Sequence, residues 1–443
     1  MAELTLDTLV IGFGKAGKTI AMARGAAGDR VAIIEQDPAM YGGTCINIAC
    51  VPTKTLLFEA GRSRFEDARD RRNGFIAQLN AANTAMVDQQ DVMIIDGRAE
   101  LLDAHRVRVT GGDDELTITA DTIIINTGST PNMPDVPGVD SPRVVDFVQA
   151  QQFPARPDHL VIVGAGPIGL EFATMYAKFG ARVTLLDAGE RLLPDFDADI
   201  AAAVEAQLRA QGVTIVHDAR ADRFTDRQDG ITVHFGDDVV TADHALVAIG
   251  RSPATAGLGA EAAGLTLGDG GAIVVDEHCH TGLGHVYAAG DVNGGPQYTY
   301  VSYDDHRVIL SHRWGDGSRT TAGRLVQSTT FTDPPLSTVG PGEDEARRIV
   351  EGRGHTLDVR ASDIADIAIM PRPKIVRQPA GRAKILVDRE ADRIVGATLY
   401  CVDSQELINF VTLAMRHGIP ASAVGSGIYT HPSSTEVFNA LLA

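Results

Sequence analysis

The chain has 443 residues, 44% of them hydrophobic, a formal net charge of −19 and four cysteines. That length buries a large core shared among roughly two to four domains, and the acidic balance disfavours nucleic acid and anionic membranes as partners. Four cysteines are too few for a secreted disulfide scaffold, the start lacks a basic and apolar leader, and no run reaches the ~18 apolar residues of a spanning helix, so a cytoplasmic protein is expected.

The first predicted elements are a β-branched strand from Thr8, the loop Gly12-Phe-Gly14-Lys-Ala-Gly17, an Ala-rich helix, and a second strand ending in Glu35. Leu160 to Asp187 repeats the series with Gly164-Ala-Gly166-Pro-Ile-Gly169, every landmark displaced by the same interval. One such loop is weak evidence, but each copy lies between a strand and a helix and is followed about 20 residues later by an acid. Two Rossmann-type units are therefore predicted. In each, the first glycine permits the turn, the second admits a pyrophosphate and the third packs helix on strand, with the phosphate at the helix N-terminus. Glu35 and Asp187 are placed to accept from ribose hydroxyls. An acid repels a 2′-phosphate, so Asp187 favours NADH over NADPH.

Between the loops, Gly42-Gly43-Thr44-Cys45 leads to Cys50-Val-Pro-Thr-Lys54. Thiols five positions apart meet only where the segment turns back on itself, since disulfide geometry needs Cα atoms about 4.4–6.8 Å apart. Two inert buried cysteines are the commoner outcome for free thiols, but the glycines before the pair and the lysine after it favour a reactive one. Residues 121–128 read as a buried strand entering a turn at Asn126-Thr127-Gly128, and Pro131, Pro134 and Pro137 mark a connector, giving a boundary near 145. Similar strand-to-turn signals recur at Gly250-Arg251 and at Ala289-Gly290-Asp291. Asp291 stands at a strand end, where parallel-sheet ligands bind, although an aspartate there also serves as a helix cap. His278-Cys279-His280 is read as a strand whose imidazoles face opposite sides, with a structural or surface role. From about 325 the pattern becomes alternating strands, an apolar-periodic helix near 407–415 and a short C-terminal helix, a separate α+β domain. His431 precedes Glu436 by five positions, compatible with an imidazole oriented by a carboxylate.

These motifs, in order over nearly the full chain, resemble the pyridine nucleotide-disulfide oxidoreductases, which include glutathione reductase, dihydrolipoamide dehydrogenase and mercuric reductase. Residues 11–19, 40–48 and 399–409 are similar to a bacterial flavoprotein subgroup associated with reactive-chlorine resistance and with reduction of copper(II) and hypothiocyanous acid. The resemblance implies an α/β fold: two Rossmann-type dinucleotide domains plus a C-terminal α+β dimerisation domain. It divides the chain into 1–145 and 256–324 for FAD, 146–255 for NAD(P)H and 325–443 for the homodimer interface.

It also implies FAD at Gly12, Gly14, Gly17, Glu35, Gly43, Thr44, Ala99, Thr127, Gly128 and Asp291, and a nicotinamide nucleotide at Gly164, Gly166, Gly169, Asp187, Gly250 and Arg251. By the same resemblance Cys50 is the flavin-side sulfur of a redox-active pair and Cys45 the interchange thiol. Lys54 pairs with Glu171 beside the flavin, and His431 and Glu436 reach in from the other subunit. Pro167 replaces the ring-capping tyrosine of glutathione reductase. The chain lacks the C-terminal cysteine pair and N-terminal carrier domain of mercuric reductase, which disfavours mercury. The expected activity is NADH-dependent reduction of a small oxidant, hypothiocyanous acid or copper(II). Dihydrolipoamide dehydrogenase or another disulfide reductase is the alternative within the family, and a non-catalytic redox-sensing flavoprotein the alternative outside it. Whether a resident metal binds is left open, and Cys401 is read as buried and inert.

Overall fold

The computed structural model describes residues 2–111 and 115–443. The first stretch contains β1 (Ala2–Ile11), α1 (Lys15–Ala26), β2 (Val31–Glu35), α2 (Thr44–Asn47), α3 (Cys50–Glu59), α4 (Phe65–Asp88), β3 (Val92–Asp96), β4 (Arg98–Leu101), β5 (Arg106–Thr110), β6 (Leu116–Ile125) and β7 (Ser129–Pro131). Next come β8 (Val144–Val145), α5 (Phe147–Ala150), β9 (His159–Val163), α6 (Pro167–Lys178), β10 (Arg182–Leu186), α7 (Ala198–Ala210), β11 (Val213–Val216), β12 (Arg223–Arg227), β13 (Gly230–Phe235), β14 (Asp238–Ala242) and β15 (His244–Val247). A third stretch holds β16 (Arg251–Pro253), β17 (Val286–Ala288) and α8 (Thr299–Trp314). The last carries β18 (Ser328–Thr330), β19 (Leu336–Val339), α9 (Glu343–Glu351), β20 (Leu357–Asp363), α10 (Arg372–Ile375), β21 (Arg382–Asp388), β22 (Arg393–Tyr400), α11 (Ser404–Arg416), α12 (Ala421–Gly425) and α13 (Glu436–Leu442).

Residues 1–58, 66–132 and 250–324 form one compact unit, and residues 59–65, 133–249 and 325–443 a second. The first is built on a seven-stranded sheet in the order β3-β2-β1-β6-β5-β4, with β17 also pairing with β6. Its central strands are parallel, β1 in register with both β2 and β6, and β1 ends in the continuous apolar run that a strand covered on both faces requires. One core lies among Leu9, Ile11, Ile34, Ile123 and Val286; another, among Val10, Phe13, Ile20, Ile33 and Ile124, includes α1. Alternate residues of β1 thus enter two different cores, as the period of two in a strand dictates.

The second unit holds a five-stranded parallel sheet, β11-β10-β9-β15-β8, a three-stranded antiparallel sheet, β12-β13-β14, and the five-stranded antiparallel sheet β18-β19-β22-β21-β20. The repeated strand–loop–helix–strand pattern forms as the spacing predicts: β1-α1-β2 and β9-α6-β10 are each a parallel pair joined by a helix. In the C-terminal part, Val411 and Leu407 of α11 join Leu399 and Ile385 of the sheet in one core. Lys384, on β21 and only 4% exposed, contacts Asp197 at 3.0 Å, Asp199 at 2.7 Å and Glu343 at 3.1 Å. Three carboxylates compensate one desolvated ammonium, so the cluster is strongly destabilised when the cation is removed.

Candidate functional site

The first glycine loop is held by the side chain of Asn126, at the end of β6. Its Oδ1 accepts from the Gly17 amide at 2.9 Å and its Nδ2 donates to the Ala289 carbonyl at 2.6 Å. Gly12 has φ +98°, and a Cβ there would strike the Asn126 carbonyl; one on Gly14 would strike the Asn126 amide. Glycine is thus required at both positions for the close approach of β6, and at Gly12 for the turn as well. Glu35, at the end of β2, accepts from the Phe13, Gln36 and Asp37 amides at 3.0, 2.9 and 3.3 Å. Burial raises its pKa above the usual carboxylate range, with those amides opposing. A carboxylate so fixed still has lone pairs for ribose hydroxyls.

Gly43, with φ +81°, lies on this loop, since a Cβ on it would be 2.7 Å from Gly14 Cα. Asn47 fixes the turn, donating to the Tyr41 and Gly43 carbonyls at 2.9 and 3.0 Å, and Tyr41 stacks on Phe13 with centroids 5.0 Å apart. A glycine at 128 has φ +75° and faces Thr44 Oγ1, 3.7 Å from where its Cβ would stand. Thr127 Oγ1 donates to the Ala254 carbonyl at 2.8 Å. Asp291 accepts from Ser129 Oγ at 2.6 Å and pairs with Arg251 at 3.0 Å. Gly250 and Arg251 therefore belong to the first unit, with Asp291, whereas Gly164 belongs to the second. Ala99 is 8% exposed, its methyl in the core and its backbone in the β4-β5 ladder. The glycine cradle, the acid of β2 and the polar cluster at Asp291 fit an FAD.

Cys45 lies in α2 and Cys50 opens α3, so the chain turns between them and brings the thiols together, a contact the spacing allows. Both are free thiols, Cys45 half-buried and Cys50 exposed, and a hydrogen bond joins their sulfurs. That bond first, and burial second, raise the Cys45 pKa well above the ordinary thiol value, with Thr299 and Lys54 acting the other way. Cys50 Sγ is 3.6 Å from Thr299 Oγ1, the first residue of α8. One turn further along α3, Lys54 lines a cavity of about 580 Å³ with Val51, Phe58, Arg71, Phe75 and Gln78.

In the second unit, Gly164 has φ +106° and Gly169 packs so closely that a Cβ would collide with the Gly164 carbonyl, but a Cβ on Gly166 meets nothing within 4 Å. Pro167 takes the first helical position of α6, where its missing N–H costs nothing. Asp187 follows β10. Its Oδ2 is buried without a hydrogen-bond partner among the described residues, with His217 Nδ1 3.6 Å away. An orphaned buried carboxylate oxygen after the second strand suits a ribose hydroxyl donor. Arg191 is turned elsewhere, donating to the carbonyls of Leu193, Pro194 and Phe196 at 3.1, 2.7 and 3.1 Å. Glu171 is buried on α6, and its Oε1 accepts from the Phe331 amide at 2.9 Å.

His431 Nδ1 is 2.7 Å from Glu436 Oε1, and Glu436 Oε2 accepts from the Ser433 amide at 2.9 Å. Burial works to raise the Glu436 pKa, but these two hydrogen bonds outweigh it and hold it below the usual range. The imidazole itself is 67% exposed while Glu436 is 12% exposed: a fixed carboxylate orients a ring that projects outward.

One local expectation fails. His278 and His280 do not alternate across a strand, because Cys279 sits in a turn with φ +61°. Both rings approach His312, at centroid distances of 4.3 and 5.9 Å, and His312 Nδ1 lies 3.0 Å from the Tyr287 hydroxyl. Cys401 is buried, its thiol pushed up to about 12 by desolvation, consistent with an inert thiol. Among the described residues, no helix is long and apolar enough to cross a membrane.

Sequence reasoning passed over Asn126 as a clamp, Asn47, Thr299 and Lys18. Asn126 had a visible signal in its Asn-Thr-Gly turn; the others had none, because their partners are distant in sequence or shared with the backbone.

Residues 6–305 match the family described as pyridine nucleotide-disulphide oxidoreductase, and residues 326–442 match the dimerisation domain of that family. The chain is 42% identical to the probable pyridine nucleotide-disulfide oxidoreductase RclA of Escherichia coli strain K12, over 99% of this chain and 98% of that protein. It is 29% identical to the dihydrolipoyl dehydrogenase of Geobacillus stearothermophilus, over 97% and 94% of the two chains. A solved Cu(II) complex of the HOCl-induced flavoprotein disulfide reductase RclA from Escherichia coli superposes with a TM-score of 0.95 at 41% identity, covering 99% of each chain.

Proposed function

The chain belongs to the pyridine nucleotide-disulphide oxidoreductase family, and on that premise we propose that it is an NADH-dependent reductase of small oxidants, acting through Cys45 and Cys50 in the cytoplasm as a homodimer. The observation that carries this reading is the pair of contacting thiols set directly after the turn that lies on the first glycine loop. The family's enzymes use FAD and a pyridine nucleotide. FAD, when bound, supplies the two-electron relay between nicotinamide and dithiol.

The residues then have distinct tasks. The glycine loops hold the two dinucleotides, and Asp187 favours a free 2′-hydroxyl over a 2′-phosphate. The Asp187 oxygen that lacks a hydrogen-bond partner among the described residues and the engagement of Arg191 with backbone carbonyls support NADH as the preferred donor. Cys45 attacks the sulfur of hypothiocyanous acid, forming a sulfenyl thiocyanate on Cys45 and releasing water. Cys50 then attacks Cys45 Sγ, closing the disulfide and expelling thiocyanate; the dithiol loses two electrons and the oxidant gains them. The His431–Glu436 pair of a second copy moves the protons. Copper(II), a thiophilic ion reduced to a state that soft thiolates favour, is the other candidate, supported by the Cu(II) complex solved for the Escherichia coli relative.

The test is a panel on the purified flavoprotein, following NADH or NADPH oxidation with hypothiocyanous acid, copper(II), glutathione disulfide, lipoamide and mercury(II). Hypothiocyanous acid or copper(II) should give the highest kcat/KM, with NADH the better donor. Rapid lipoamide turnover with neither oxidant consumed overturns the substrate assignment, and a clear NADPH preference overturns the role of Asp187.

A further inference from the structure

Strands β10 and β11 run parallel with Leu186 beside Val216, so the residues that follow them, Asp187 and His217, emerge side by side at the carboxyl end of the sheet, where ligands of parallel sheets bind. The backbone locks the two ends together: the Asp187 amide donates to the Val216 carbonyl at 2.9 Å and the Ala219 amide to the Asp187 carbonyl at 2.8 Å. His217 is held from α7. That helix buries Ile200, Val204 and Leu208, and its Glu205 reaches the ring, with Nε2 lying 3.2 and 3.1 Å from the two carboxylate oxygens. Arg209, one turn on, donates to Glu205 Oε1 at 2.9 and 2.8 Å.

A carboxylate only accepts, so Nε2 carries the proton and donates to Glu205. In the neutral ring Nδ1 is then a lone pair. It faces Asp187 Oδ2 at 3.6 Å, and both atoms are buried without a hydrogen-bond partner among the described residues. Two acceptors thus face each other with no donor between them, an arrangement that buried polar atoms rarely keep. Two donors fit. One is a hydroxyl of a ribose placed at Asp187; the other is a proton on Nδ1, which turns the pair into an imidazolium–carboxylate contact. Glu205 stays ionised where an imidazole titrates: burial works to raise its pKa, but Arg209 and His217 outweigh it and hold it below the usual range. Helix α6 also packs on β11, but its charged side chains are engaged elsewhere, Glu171 with the Phe331 amide and Lys178 with Asp333. The charged groups around the ring are therefore Asp187, Glu205 and, through Glu205, Arg209, with Asp218 next in the chain.

We propose that His217 is a specificity-determining residue that makes the choice between NADH and NADPH depend on pH, because a ribose hydroxyl and the Nδ1 proton compete for Asp187. With the ring neutral, Asp187 accepts from the hydroxyl of NADH, and its charge repels a 2′-phosphate. With the ring protonated, the Nδ1–H occupies the carboxylate and offsets its charge, and the cation attracts the phosphate. As pH falls through the range in which an imidazole gains its proton, NADH therefore binds more weakly and NADPH more tightly. As pH rises, the preference for NADH returns. The inference rests on the ribose of the nicotinamide nucleotide lying at Asp187, as proposed above.

The experiment measures Kd for NADH and for NADPH, from the rate of flavin reduction at varied nucleotide, from about pH 5 to 8 in the flavin-loaded wild type and in His217→Gln, Glu205→Gln and Asp187→Asn. In the wild type the preference for NADH should fall about tenfold toward the acid end, the worth of one hydrogen bond to a charged group. His217→Gln keeps an amide for Glu205 in place of Nε2 and has nothing in place of Nδ1. It should hold the alkaline preference throughout, apart from the drift due to the 2′-phosphate's own ionisation at about pH 6, which both proteins share. Glu205→Gln removes a carboxylate that favours the imidazolium and should move the transition to lower pH. Parallel profiles for the wild type and His217→Gln overturn the proposal, as does a Glu205→Gln transition at or above the wild-type pH. Asp187→Asn tests the underlying reading separately: it should lose the preference for NADH at every pH. If it discriminates like the wild type, the ribose does not lie at Asp187 and that reading falls. If it loses discrimination while the wild type and His217→Gln stay parallel, only the role of His217 falls.

Discussion

Gly166→Ala separates the nucleotide's demand for glycine from the fold's. Gly166 caps α6 at φ −73° and ψ −178°, an extended conformation open to any residue, and a Cβ there meets nothing within 4 Å. Losing the N-cap preference of glycine over alanine costs about 0.5–1 kcal/mol, while restricting the unfolded chain returns about 0.4–1 kcal/mol, so the variant's stability should change by less than about 0.5 kcal/mol. A pyrophosphate on the N-terminus of α6 sees the methyl group as overpacking, at about 1–3 kcal/mol. At 1.4 kcal/mol per factor of ten, that weakens NADH binding by about 5- to 150-fold. The assay is the Kd for NADH from the rate of enzyme reduction at varied NADH, alongside thermal midpoint and flavin content as controls. Gly169→Ala is the contrasting variant: its Cβ would collide with the Gly164 carbonyl, so it should lower the thermal midpoint as well. A Gly166→Ala enzyme that binds NADH like the wild type refutes the placement of the pyrophosphate at this loop.

Two further expectations concern the thiols and the Lys384 cluster. Cys45→Ser should show a long-wavelength thiolate absorbance band without any reductant and should lose turnover, whereas Cys50→Ser should lose both; the opposite spectra would exchange the two roles. Lys384→Met leaves Asp197, Asp199 and Glu343 facing one another. Breaking a buried pair costs about 3–5 kcal/mol, and because the Asp199 side chain is 36% exposed a loss of about 2–4 kcal/mol is expected by chemical denaturation. An unchanged denaturation midpoint would show that these contacts contribute nothing measurable.

The parts of the site that could be read in the sequence are those whose requirement is local. A glycine in a tight turn is specified by its own φ and by the strand and helix beside it, so both glycine loops and the acids that follow them were recognisable from spacing. The same holds for Cys45 and Cys50, which one short helix and the start of the next bring together. His431 and Glu436, too, meet across a single turn. The His278–Cys279–His280 segment misleads for the converse reason: alternation presumes a strand, and the left-handed residue at Cys279 turns both imidazoles toward His312.

What sequence spacing does not reveal is a side chain whose partner lies on a distant element. Asn126 reaches 109 residues back to Gly17 and 163 residues on to Ala289, so one amide ties the loop of α1 to the strand end that leads to Asp291. Lys18 reaches 65 residues to Asn83; in the sequence it is one more lysine in an Ala-rich helix, with nothing to separate it from a solvated one. The two cases share a cause. Each polar group is buried against an element far away in the sequence, and burial is what turns an ordinary amide or ammonium into a group with a specific partner. The glycine loop therefore admits Asn126 where a side chain at Gly12 or Gly14 would collide with it, and the Asn126 amide in turn fixes the loop through the Gly17 N–H.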